Sequence, residues 1–186
     1  MAYHDDLLQQ AFDLVAKNPD SPTQAALRRA VSGAYYALFH LLIHETVTHW
    51  SLDSSRDGLA RMFEHRVMAS ASKNIRNPSL FPFTGKSPNV VICLRTIAAS
   101  FNRLQDNRHL ADYDNSTLWT HTEALEEVAI AATAFSLWHA IKSEKIAQDY
   151  LVSLLVRPPF LAPTAFHMEN ASASPEFQHV SSVTLL

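Results

Sequence analysis

The stretch SPTQAALRRAVSGAYYALFHLLIHETVTHW, residues Ser21–Trp50, decides the architecture. Ser21 offers a capping oxygen and Pro22 suits a first helical position. Leu27, Val31, Ala34, Tyr35, Leu38 and Leu42 then recur at three- and four-residue intervals, so the spacing predicts one long helix reaching about Trp50. At ~100° per residue, Arg29, Ser32, Tyr36, His40 and Ile43 share a second, polar face. An apolar stripe this long must be covered by other elements, which makes this helix the spine of a bundle.

The flanking segments repeat the pattern. Tyr3–Lys17 carries Leu7, Leu8, Phe12, Leu14 and Val15 at helical spacing, and Asn18-Pro19 ends it. A third helix is expected after Asp53-Ser54-Ser55, through Leu59, Met62, Phe63, Val67 and Met68 to about Asn74. Asn77–Pro88 reads as a loop because of its prolines and Gly85, with Phe81 and Phe83 folding back onto the bundle. A fourth helix, Asn89 to about Tyr113, places Val91, Leu94, Ile97, Ala98, Phe101 and Leu104 on one stripe. A fifth, capped by Ser116 and reaching about Val156, carries Leu125, Val128, Ala132, Phe135, Trp138, Ile141 and Leu151. The expected fold is an all-α antiparallel up-and-down bundle over residues 1–156, with an irregular proline- and serine-containing tail over 157–186.

Composition agrees with that class. Three glycines in 186 residues, where average usage would give about thirteen, speak against sandwiches, barrels and glycine-rich phosphate loops. Hydrophobic residues at 47% against 18% charged exclude a disordered chain. A net charge of −3 provides no general attraction for nucleic acid, so any such binding needs a local basic patch. The lone Cys93 cannot form an internal disulfide, which suits a reducing compartment. Asp5, Asp6 and Asp13 interrupt any signal-like stretch, and the apolar run Ala34–Ile43 is far below the ~20 residues of a membrane span. A cytoplasmic protein is expected.

Walker, G-x-S-x-G, H-E-x-x-H and C-x-x-C signatures are missing. His40 and His44, with Glu45 and His49 beside them, have metal-ligand spacing, but no second helix offers a matching pair. Neither a metal nor a cofactor is therefore expected. Two clusters remain. The first is the Arg29–Ser32–Tyr36–His40 face, read either as packing with satisfied hydrogen bonders or as a substrate-facing surface. The second lies near the end of the fourth helix, where Arg108, His109, Asp112 and Tyr113 fall on one patch, each within about 60° of a neighbour. Here a salt bridge between Arg108 and Asp112 with His109 solvated competes with a phosphate-binding, proton-transferring site.

Taken together, R-A-V-S-G-A-Y-Y-A-L-F-H (Arg29–His40), F-E-H (Phe63–His65) and L-Q-D-N-R-H-L-A-D-Y (Leu104–Tyr113) resemble the HEPN superfamily. The order matches its small bacterial branch, in which S-R-A-Y-Y-A-x-F-H precedes R-x-x-A-D-Y. The resemblance spans roughly Gln24–Leu155. It implies a helical bundle, commonly a homodimer, whose active members are metal-independent endoribonucleases of toxin–antitoxin and phage-defence systems. Others of the family bind RNA, nucleotides or a protein partner without catalysis. It implies RNA as the ligand here and an antitoxin or nucleotidyltransferase-like protein as partner. Arg108, His109, Asp112 and Tyr113 are the implied catalytic group, with Arg103, Arg29, Tyr36 and His40 binding substrate. His109 would transfer protons, Arg108 would stabilise the phosphorane-like transition state, and Asp112 and Tyr113 would orient them. Arg103 to His109 has the family's R-x(4-6)-H spacing, although the two lie about 120° apart on a straight helix. Gly33 stands where the family frequently has arginine.

Overall fold

The computed structural model describes residues 2–77, 83 and 86–156. Seven α-helices occur among them, and no strand: α1 (Tyr3–Ala16), α2 (Gln24–Thr48), α3 (Arg56–Ala60), α4 (His65–Asn74), α5 (Pro88–Tyr113), α6 (His121–Ile141) and α7 (Lys145–Ser153). A 3₁₀ turn, Asp53–Ser55, leads into α3. The fold is the all-α bundle that the periodicity predicts. The expected tail from Arg157 onward, and Phe81 in the expected loop, lie outside the described residues.

Helix α2 is the spine, packing against α1, α3, α5, α6 and α7. Leu27, Val31, Ala34, Tyr35, Leu38, Leu41 and Leu42 are each 1% exposed or less. At roughly 1.5–3 kcal/mol for each large apolar side chain removed from water, this one helix supplies much of the drive to fold. Its start differs from the expectation. Thr23, not Ser21, is the N-cap, its hydroxyl accepting from the amide of Ala26. Pro22 thus lies outside the helix. On the second face, against which α1 lies, Ser32 and Ile43 are buried, whereas Arg29 is exposed and Tyr36 and His40 are partly so. A Cβ at Gly33 would stand 3.4 Å from Cβ of Ala11, so a longer side chain here would meet α1.

The third and fifth segments each break where one continuous helix was expected. Between α3 and α4 the chain turns so that Phe63 is buried while Met62 stays 64% exposed. Between α6 and α7, Glu144 is extended (φ −72°, ψ 135°), and α7 returns toward α2 and α4. This turn buries Ile146, Ala147, Tyr150 and Leu151, and the Tyr150 hydroxyl lies 2.8 Å from Ser72 Oγ on α4. The cap of α6 is Thr120 rather than Ser116: its Oγ1 accepts from the Glu123 amide, and the Glu123 carboxylate accepts from the Thr120 amide. Leu125, expected on the α6 stripe, is 40% exposed, and Glu127 takes an inward position instead.

Helix α6 is the one helix among the described residues long and apolar enough to cross a membrane. The run Ala34–Ile43 did not reveal it. Its Ala124, Val128, Ala131, Ala134, Phe135 and Trp138 are buried in the bundle. Phe83 packs against the core as expected, and the Arg95 guanidinium lies over its ring at 4.7 Å.

Candidate functional site

The C-terminal half of α5 is fixed from α2. The Arg28 guanidinium donates to the carbonyls of Ala111, Asp114 and Thr117 at 2.7–2.9 Å, taking up carbonyls that the end of α5 and the following turn would leave unpaired. One turn earlier, the Gln24 amide pairs with both the carbonyl and the N–H of Trp119. The Asp114 carboxylate closes the turn by accepting from Ser116 and Thr117, bonds that hold it down at about pKa 2. The residues from Arg108 to Tyr113 are therefore presented on a helix end tied at two points.

Arg108 is the centre of the arrangement. Its guanidinium donates from Nη2 to the Tyr36 hydroxyl, and its Nε lies 2.8 Å from Asp112 Oδ2 as an ion pair. The guanidinium carbon stands 5.2 Å from the Tyr36 ring centroid and 5.5 Å from that of Tyr113. Burial works against this charge, but the Tyr36 hydrogen bond, Tyr36 itself, Asp112 and Tyr113 outweigh it, and the net shift raises the Arg108 pKa. Nη1 makes no hydrogen bond among the described residues.

Beneath Arg108 lies an aromatic box that sequence reasoning only touched. The Tyr35 hydroxyl is 2.6 Å from His65 Nδ1, and the His65 ring stacks on Phe39 at 4.2 Å. Burial, then the Arg108 charge, hold the His65 imidazole below its ordinary range. Burial pushes the Tyr35 hydroxyl well up. The signal for His65 in the sequence is its place in the F-E-H motif.

Three clefts follow one another here, the first two sharing Arg108. One, of about 390 Å³ between α4 and α5, is lined by Arg66, Ser70, Lys73, Asp106, Arg108 and His109. A second, of about 490 Å³, runs from Arg108, Asp112 and Tyr113 to Arg28, Arg29 and Tyr36. A third, of about 500 Å³ between α1 and α2, shares Arg29 and Tyr36 with the second and continues to His40. Arg66 and Lys73 were missed in the sequence. Their seven-residue spacing, with Ser70 between, was the available sign of one cationic face on α4.

Of the expected catalytic group, Arg108, Asp112 and Tyr113 come together, and the exposed His109 joins through Tyr113, whose ring centroid is 5.1 Å away. Tyr36 joins them directly, and His40 lies beyond it with ring centroids 6.4 Å apart. Arg29 is exposed at the edge of the second and third clefts. Arg103 does not join. Its Nε and Nη2 both donate to Glu127 Oε1, at 2.9 and 2.7 Å, which commits it to α6. The R-x(4-6)-H spacing from Arg103 to His109 thus spans two sides of α5. Among the described residues no three His, Cys, Asp or Glu side chains converge in a way that could hold a metal ion. His40 lines the α1–α2 cleft, whereas His44 packs its ring against buried His4.

No protein-family model matches this chain, and neither a curated protein nor a solved structure matches it.

Proposed function

We propose that this is a HEPN-like protein whose ligand is RNA, and that it cuts the strand without metal. The observation that carries this reading is Arg108: a cation steadied by Tyr36 and Asp112, with one nitrogen uncommitted, at the junction of two clefts and next to an exposed histidine. Arg66, Lys73 and Arg29 extend its charge along the surface, the local basic track that a chain of net charge −3 requires. In the proposed reaction the ribose 2′-oxygen bonds to the adjacent phosphorus and the P–O5′ bond breaks. His109 takes the 2′-hydroxyl proton and returns it to the departing 5′-oxygen, while Arg108 stabilises the charge on the phosphorane. The products are a 2′,3′-cyclic phosphate and a 5′-hydroxyl. The proposed assembly is a homodimer in the cytoplasm that joins two Arg108 patches, with an antitoxin or nucleotidyltransferase-like protein as its regulatory partner.

Incubation of purified full-length protein with a broad RNA panel in EDTA tests the reading. Cleavage to cyclic-phosphate ends is expected, with Arg108→Ala and His109→Ala each slowing it ~100-fold or more. Wild-type protein that neither binds nor cuts any RNA overturns it. A non-catalytic interaction module is the second reading, favoured by the 17% exposure of the Arg108 side chain and by its link from α5 to α2. That reading requires Arg108→Ala to lower the melting temperature and to leave RNA association unchanged.

A further inference from the structure

The α1–α2 cleft carries uncommitted chemistry that the cutting reaction does not use. Among its lining residues, Arg29, Gln10 and His40 make no side-chain hydrogen bond among the described residues, and Ser32 is 2% exposed with its Oγ lacking a partner. Buried hydroxyls in folded proteins nearly always find partners, so an unpaired one in a cleft lining is informative. The other component is aromatic. Tyr3 is 63% exposed and stands edge-on to His40 with ring centroids 4.9 Å apart, and His40 in turn stacks toward Tyr36.

On α2, Arg29, Ser32, Tyr36 and His40 form one stripe about 16 Å long, the rise of eleven residues. Its Arg29 end and Tyr36 also border the cleft containing Arg108. A strand whose phosphates pass Arg108 and Arg29 therefore has the α1–α2 cleft directly at its side. An exposed aromatic ring, an amide, a hydroxyl and an imidazole with its polar atoms unused, and a cation at the mouth are what an unpaired base and its phosphate require. The cleft's volume of about 500 Å³ falls within the usual range of small-ligand sites.

We propose that the α1–α2 cleft is a base-recognition subsite: one unpaired base of the bound RNA stacks on the exposed Tyr3 ring and is read by Gln10, Ser32 and His40, its phosphate held by Arg29. This rests on the RNA reading above and adds the source of sequence preference to it. His40 suits the role because burial, then His65 and His4, hold its pKa low, leaving a neutral ring with one donor and one acceptor.

The test uses full-length protein and ~12-nucleotide oligoribonucleotides differing in one unpaired base, read by fluorescence anisotropy with circular dichroism to check folding. Wild-type protein should prefer one base by about tenfold, and Tyr3→Ala, Gln10→Ala and His40→Ala should each bring that preference below about threefold. Lys73→Ala, in the α4–α5 cleft, should instead weaken all oligonucleotides alike. RNA binding that depends on Lys73 but shows no base preference, or a preference untouched by the three cleft variants, overturns the subsite and leaves the RNA reading standing. If no oligonucleotide binds, the RNA reading falls and the subsite with it. A free mononucleotide that binds the cleft while no strand does likewise overturns the assignment to RNA.

Discussion

Arg103 and Arg108 sit five residues apart on the same helix and meet opposite circumstances. Arg103 directs two nitrogens onto one oxygen of Glu127, a carboxylate whose side chain is only 3% exposed. That carboxylate needs its cation, and the pair holds α5 to α6. Arg108 meets a phenol and a carboxylate that is itself 20% exposed, and it opens onto two clefts. These partners engage its Nη2 and Nε and orient the guanidinium, while Nη1 makes no hydrogen bond among the described residues. The type of residue is the same; the partners differ, a nearly buried carboxylate for Arg103 and a phenol with a partly exposed carboxylate for Arg108.

The strongest way to break this comparison is to remove each arginine in turn. Arg108→Ala should cost ~100-fold or more in RNA cleavage while the melting temperature moves by only a few degrees. Arg103→Ala should do the reverse, because it strands a buried carboxylate. Breaking a fully buried pair costs about 3–5 kcal/mol, and since Arg103 is 51% exposed the expected loss is nearer 1–3 kcal/mol. That corresponds to roughly 2–12 °C for a chain of this size. Glu127→Gln, which leaves no stranded charge, should be milder. If thermal unfolding shows Arg108→Ala to be the more destabilising of the two, the distinction fails.

Arg28 sharpens the same point from α2. Arg28→Ala removes donors from three carbonyls around the end of α5, and a loss of about 2 kcal/mol is expected. Hydrogen exchange should rise first in Asp114–Trp119. An unchanged exchange pattern would show that Gln24 alone holds the turn.

The two arginines should also be distinguishable through His65. Its pKa is lowered from an ordinary 6.5 first by burial and then by the Arg108 charge. Arg108→Ala should therefore raise it in an NMR titration, and Arg103→Ala should leave it in place. His4 and His40 are lowered too, burial again being the first cause. For groups shifted in this direction, the unfolded chain takes up protons before the folded one as pH falls. Stability should thus be level above about pH 6.5 and decline below it, toward the folded-state values. A melting temperature that rises on acidification from pH ~7 to ~5.5 would contradict that sign.

How much of this was legible varied with the physics involved. Helical periodicity located the spine and the bundle because burial of Leu27, Val31, Leu38 and Leu42 requires it. The proximity of Arg108, Asp112 and Tyr113 was legible for the same reason, since one turn of helix brings them together. Contacts between elements were not. Nothing in local spacing indicates that Arg103 faces Glu127, that Arg28 reaches three carbonyls more than eighty residues away, or that His65 meets Tyr35. The breaks at Phe63 and Glu144 escaped as well, since an apolar stripe continues across a turn whenever both sides face the same core.

The N-terminus of α6 offers the finest discrimination, because two residues compete for the role of cap. Ser116 precedes the apolar run and has the right side chain, but its hydroxyl and amide both donate to Asp114, leaving it within the preceding turn. Thr120 instead accepts from the Glu123 amide and is answered by the Glu123 carboxylate, so two otherwise unpaired backbone N–H groups are satisfied together. Those bonds also lower the pKa of the exposed Glu123 carboxyl. Thr120→Ala should cost about 1 kcal/mol, a shift of roughly 2–4 °C, whereas Ser116→Ala should fall within about 0.5 kcal/mol of wild type. Neither should alter cleavage, because Arg28 and Gln24 fix the end of α5 independently of how α6 begins. Equal losses from the two substitutions would mean that the turn and the helix start form one unit, and would extend the stabilising side of the comparison from Arg103 and Glu127 to the whole connection between α5 and α6.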